Sequence, residues 1–203
     1  MPLQNRVDPY GDLHAVAARG AWTGNRGVLH DGARRIVRPW RLERWITCAL
    51  EFKGRQREVF TPGRWTELFF LDEATALAAG HRPCAECRRP RYEAFRAAWT
   101  ASRIRPPVRR VAANEIDRVL HGERLDRRGA KKIWQAELAS LPDGTIVEHG
   151  GRPHLARAGA LLPWSFSGYG AAVRIPPAMR LAVLTPPSTV AALRAGYAPE
   201  GLP

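Results

Sequence analysis

The sequence is short of acid, of cysteine and of long apolar runs, and each shortage excludes something. Nineteen Asp and Glu stand against thirty-two Lys and Arg, giving a net charge of +13. A field of that sign favours polyanions through long-range attraction and counterion release. Three cysteines are too few for a disulfide framework in an intracellular chain. No apolar run is long enough to span a bilayer, and the mean hydropathy is −0.33, so a membrane partner is not expected. The opening segment MPLQNRVDPYGDLHA has polar and acidic residues where a secretory leader carries an apolar stretch, and a cytoplasmic location is the expectation. The glycines show no phosphate-cradling spacing, no nucleotide-binding motif occurs, and there is no internal repeat.

What the chain does have is ordinary foldable material. With 203 residues, 45% hydrophobic and 25% charged, it can bury a core of its own in one or two domains. The positive excess is nearly all Arg, whose planar fork suits phosphate oxygens. Arg, Ala, Gly and Pro are also favoured together by GC-rich codons, which explains Arg in place of Lys but not the imbalance with acid.

Residues 1 to about 27 show no sustained period and read as irregular. VLHDGARRIV reads as a hairpin turning at Asp31-Gly32. RWITCALEF reads as a strand, with KGRQREVF as its returning partner. WTELFFLD reads as another strand. Asp72 is placed to cap a short helix, EATALAAG, stopped by Gly80. A helix over about 90–102 carries Tyr92, Phe95 and Trp99 on one face, expected in the core. Pro106-Pro107 looks like a linker. Beyond it, ANEIDRVLHGERL reads as a helix despite Gly122. LPDGTIVEHGGRPHLARAGALLPWSFSGYG reads as short strands, and TPPSTVAALRAG as a helix with a Ser or Thr cap.

Cys84 and Cys87 form a C-x2-C pair and Cys48 stands upstream, a spacing that reads as metal ligation before redox chemistry. The longer segment TELFFLDEATALAAGHRPCAECRR resembles part of the Ada-type metal-binding domain, the zinc domain of methylphosphotriester repair proteins. Glu73, Ala74, Leu77, Ala78, Ala79, Gly80, Arg82, Pro83, Cys84 and Cys87 carry the match, with His81 in an aromatic slot. The likeness spans residues of about 45–90 if the Cys48 strand is included. It implies Zn²⁺ as cofactor, with Cys48, Cys84 and Cys87 as ligands and Cys48 in the place of the family's methyl-accepting cysteine. In the family the upstream strand carries a C-x3-C pair; Cys48 matches its first cysteine, and its second would fall at Phe52, which cannot bind metal. His14, His30 and His81 are candidates for the vacancy. His30, on the hairpin expected beside the Cys48 strand, is preferred over His81, which would crowd one turn.

Nine Arg against two Glu fall between 82 and 110, and more Arg flank the Cys48 strand. Arg34, Arg35, Arg44, Arg55, Arg57, Arg82, Arg88, Arg89 and Arg91 are the candidate nucleic-acid contacts, with Trp40, Trp45 and Trp65 nearby for stacking. Asp117 and His121, one helical turn apart, could do acid–base work, as could Glu67 near the metal. Each is equally an ordinary structural residue.

The expected fold is α+β. Residues 1–105 form a small mixed β-sheet with short helices around a Cys-rich zinc site, and residues 106–203 a second helix and short-strand subdomain. The expected function is zinc-dependent binding of DNA, double-stranded or damaged, in recognition or repair. One alternative is a metal-dependent nuclease or glycosylase, or an alkyl acceptor at Cys48. Another is a non-catalytic module that binds RNA or protein.

Overall fold

The computed structural model describes residues 1–54, 58–103 and 111–203. The fold is α+β, with two six-stranded sheets and four α-helices among the described residues. The first sheet is built from β1 (Arg6–Val7), β2 (Leu13–His14), β3 (Trp22–Asn25), β4 (Ile46–Cys48), β5 (Leu68–Phe70) and β6 (Arg82–Pro83), in the order β2-β1-β5-β3-β4-β6. Helix α1 (Glu73–Ala78) lies between β5 and β6, and α2 (Arg89–Arg103) follows β6. After α3 (Ala113–Arg124) come β7 (Trp134–Glu137), β8 (Ile146–His149), β9 (Arg152–Arg157), β10 (Ala160–Ser165), β11 (Gly168–Tyr169) and β12 (Arg180–Val183), and α4 (Pro187–Arg194) is the last helix. The second sheet runs β11-β10-β9-β8-β12-β7 and is antiparallel throughout.

The two halves share their cores. Leu77 of α1 and Phe95 and Trp99 of α2 sit in one cluster with Ile116 and Leu120 of α3 and Ala192 and Leu193 of α4. Ala74 and Ala78 pack with Ile146 and Leu155 of the second sheet and with Leu184, just after β12. Alanine is what lets a short helix lie that close to a sheet. The hydroxyl of Tyr10 donates to Glu148 at 2.6 Å, and that of Tyr169 to Asp72 at 2.6 Å, so polar ties also cross between the halves.

Several elements differ from what the sequence suggests. The first 27 residues supply three strands. These are only two to four residues long, too short to show a period, and tertiary pairing alone defines them. The hairpin expected at Asp31-Gly32 is reduced to a single bridge, His30 to Ile36. The Asp31 side chain accepts from the Ala33 and Arg35 amides and closes a wider loop. The returning strand KGRQREVF falls partly on 55–57, outside the described residues, and its remainder, 53–54 and 58–60, is no strand. Pro106-Pro107 also lies outside them.

Helix α4 does not cap itself. Pro186 occupies its N-cap position, and the carboxylate of Glu123, on α3, accepts from the Ser188 amide at 3.0 Å and its hydroxyl at 2.6 Å. A borrowed carboxylate at a helix N-terminus meets both unpaired amides and the dipole. Glu123→Ala should therefore cost about 1–2 kcal/mol in urea unfolding. A loss below a few tenths would mean that Pro187 alone holds the helix start.

Candidate metal centre and adjoining pocket

Strand pairing brings the three cysteines together. β6 runs parallel to β4 with Thr47 opposite Pro83, so Cys48 and Cys84 are the next pair along, and the Cys84 amide donates to the Thr47 carbonyl at 2.9 Å. Upstream, α1 is started by Asp72, whose carboxylate accepts from the Thr75 amide at 2.7 Å. It is stopped at Gly80, which has a φ of +91°. A β-carbon there would stand 2.5 Å from the Arg124 side chain, so only glycine lets the chain turn into β6. The Arg88 amide donates to the Cys84 carbonyl at 3.2 Å, folding Cys87 back beside Cys84 just before α2.

The sulfurs of Cys48, Cys84 and Cys87 all lie within 4.8 Å of one another. A tetrahedral zinc–thiolate site separates sulfurs by roughly 3.8 Å, so the group is close to the size of one. The Glu86 amide donates to Cys84 Sγ at 3.4 Å. The hydrogen bond from Cys48 brings the Cys84 thiol down to about 5, and the Cys87 and Glu86 amides act the same way. The Cys48 thiol is pushed up, first by its hydrogen bonds to Cys84 and Cys87 and then by burial. Three thiols this close resist ionising together, and a dication among them removes the conflict. The donor set fits a thiophilic metal.

His30 does not join the group. Its Nδ1 is 2.7 Å from the Thr66 hydroxyl, its Nε2 is 3.3 Å from the Thr61 carbonyl, and its ring stacks on Phe60. With the hairpin reduced to one bridge, residues 28–30 run toward 60–66 rather than along β4. His14 binds Asp8 at 2.8 Å. His81 is fully buried and accepts from Arg26 Nε at 3.3 Å. Among the described residues, no further His, Cys, Asp or Glu atom joins the three sulfurs.

The fourth side opens instead onto a pocket of about 270 Å³, lined by all three cysteines. Its floor is one face of the sheet. Alternation along three neighbouring strands puts Ile46 and Cys48, Thr23 and Asn25, and Phe69 with the preceding Glu67 on that face. Phe52, Val59 and Trp65 supply walls. Glu67 is 6% exposed; its Oε2 accepts from the Phe60 amide at 2.9 Å, while its buried Oε1 has no partner. Phe60 adopts a φ of +61° in making that bond, an unfavourable state for a bulky residue, held by its complete burial.

The remaining predicted site residues divide. Asp117 does not orient His121: it holds Arg82 through two bonds of 2.8 Å, both side chains buried. His121 Nδ1 lies 3.0 Å from Arg124 instead. Its pKa is lowered, by burial first and by Arg124 second. Arg82 and Arg88 are thus no phosphate ligands, because Arg88 is likewise buried against Glu73 at 2.8 Å. Arg91 is one-quarter exposed and bound to Glu73 and Glu200. Arg34, Arg35, Arg44 and Arg89 are exposed, Arg34 and Arg35 pairing with Glu58 and Asp31. Arg55 and Arg57 lie outside the described residues. Trp45 is not a stacking platform, being held between the guanidinium groups of Arg26 and Arg124 at 4.0 and 3.9 Å.

Near that sandwich the Lys131 ammonium donates to the Ala78 carbonyl. Burial, then Arg26 and Arg124, bring its pKa down to about 7 from 10.5. The unfolded chain therefore binds the extra proton between pH 7 and 10.5, and stability should rise with pH across that window. Lys131→Met should flatten the rise and stabilise the protein at pH 7, read from melting temperatures. An unchanged slope would refute this placement of the amine.

Comparison with family models, with curated proteins and with solved structures yields no match to this chain. Among the described residues, no helix is long and apolar enough to cross a membrane.

Proposed function

We propose that this is a zinc protein that binds DNA, in recognition or repair of damage, with Cys48, Cys84 and Cys87 as the metal ligands. The observation that carries the reading is the meeting of three sulfurs within 4.8 Å at the mouth of a pocket. The resemblance to the Ada-type zinc domain supports it, as do thiolate donors that suit zinc. Arg34, Arg35, Arg38, Arg41 and Arg44, all exposed on one loop, would contact phosphates and set the register of the strand without reading its sequence. Zinc, when bound, would supply a Lewis acid at the pocket mouth. The chain's own residues bind and exclude: Phe52, Trp65 and Phe69 shed water from a bound group, and Glu67 receives its hydrogen bonds.

A second reading, a metal-dependent hydrolase, is favoured by the open fourth side and the unpaired Oε1 of Glu67, since catalytic zinc sites keep a position free where structural ones close it. Filter binding to a DNA duplex at several salt concentrations tests the first reading. Affinity should fall steeply with salt, and replacing Arg38, Arg41 and Arg44 together should lower the slope of log K on log salt by about 3. A slope unchanged by the triple variant would remove that loop from the interface.

A further inference from the structure

We infer that the pocket beside the cysteines takes a flat, apolar-bodied ligand presenting N–H donors, neutral or cationic, and that Glu67 receives those donors. This deepens the proposed function, because it concerns the same site. The lining carries the argument. Thr23, Asn25, Glu67 and Glu86 are its polar groups besides the cysteines, and no Lys or Arg occurs among the described lining residues. The buried carboxylate of Glu67 beside the thiols makes it a poor place for a phosphate and a good one for a donor.

The Oε1 of Glu67 is buried with no partner, a costly state for a carboxylate oxygen unless something arrives to bind it. Its other oxygen is fixed by the Phe60 amide, so the carboxylate is held still while it waits. Aromatic side chains of Phe52, Trp65 and Phe69 in the lining favour a planar body. A volume of about 270 Å³ admits a single ring system. The amino edge of an unstacked nucleobase has this chemistry, since flipped bases are read by edge hydrogen bonds and aromatic packing. So does a free aromatic amidine or amine.

The test is calorimetric titration of the full chain with benzamidine and with benzoate, its anionic counterpart of the same shape. Benzamidine should bind and benzoate should not. Glu67→Gln keeps an acceptor for Phe60 but turns an amide donor toward the ligand, and should weaken benzamidine about tenfold or more. Leu50→Trp, at the exposed rim of the pocket, should block entry without touching the floor. Equal binding of benzoate, or full affinity in Glu67→Gln, overturns the inference. Competition by a short oligo-dA strand assigns the ligand to a nucleobase, and its absence assigns it to a free small molecule; either accompanies benzamidine binding. Zinc content is read on the same samples. Benzamidine bound without zinc refutes the metal reading alone, whereas zinc present with benzoate bound refutes the pocket reading alone.

Discussion

Cys84→Ser should empty the metal centre and lower the melting temperature by roughly 10 °C. Elemental analysis of the wild type should find one zinc per chain. Removing one of three thiolates leaves too few donors to hold it against solvent. The size of the thermal effect follows from linkage. A ligand present at about a thousand times its dissociation constant contributes roughly 4 kcal/mol, and a chain of this length moves by about 2–4 °C per kcal/mol. The fold should survive, unlike that of a small zinc finger, because four core clusters hold it independently of the cysteines. Chelation should lower the wild-type melting temperature by a similar amount and leave Cys84→Ser unmoved. Cys48→Ser should behave like Cys84→Ser, because Cys48 fastens β4 to the turn before α2. His30→Ala should keep its zinc, since His30 is bound to Thr66 and Thr61 and stands apart from the sulfurs. Zinc lost from the His30 variant, or no metal in the wild type, would overturn the reading of the centre.

What the residues announced in advance was local. The Asp72 cap, the alanine run, Gly80 and the C-x2-C turn each act over a few residues, and the fold contains the capped helix α1, the turn and the meeting of Cys48 with the pair. Tyr92, Phe95 and Trp99 are buried, as their spacing on one helix face suggests. The three short strands before residue 27 could not be read, because pairing with distant partners is all that defines them. The same gap misplaced His30: its position depends on where a loop goes after its strand ends. Charge misled differently. Arg82 and Arg88 look like their exposed neighbours in the sequence, and only partners far along the chain, Asp117 and Glu73, reveal them as buried halves of ion pairs. The position of Glu67 beside the cysteines is legible in the sequence, but its unpaired oxygen is a property of the folded pocket. Glu123 as the cap of α4 had no local signal at all.

Glu73→Ala should be the most damaging single change outside the cysteines, at about 3 kcal/mol, the low end of the cost of breaking a buried pair because Glu200 still offsets Arg88. Glu73 has no exposed surface, yet four donors converge on it. Arg88 at 2.8 Å and the Tyr197 hydroxyl at 2.5 Å reach Oε1; Arg91 at 3.0 Å and the Glu200 amide at 2.7 Å reach Oε2. Burial first, and then the Glu73 charge, push the Tyr197 phenol up, so it stays a donor at any ordinary pH. Removing the carboxylate leaves Arg88, which is 3% exposed and stacked 3.8 Å over the Trp22 ring, with the more exposed Glu200 carboxylate at 2.7 Å as its remaining counter-ion. A buried cation that loses its buried partner costs more than the pair contributed, even where a surface carboxylate offsets part of the loss. Arg88 directly follows Cys87, so the damage should reach the metal: zinc should leave Glu73→Ala faster than wild type when a chromogenic chelator is added. Glu73→Gln keeps two polar atoms in place and should cost less. Arg88→Met added to Glu73→Ala should recover part of the loss, because it removes a buried charge that only the more exposed Glu200 still offsets. If the double variant is instead as unstable as the sum of the singles, the two residues do not act as a pair, and the stability of this corner comes from Arg91, Tyr197 and Glu200.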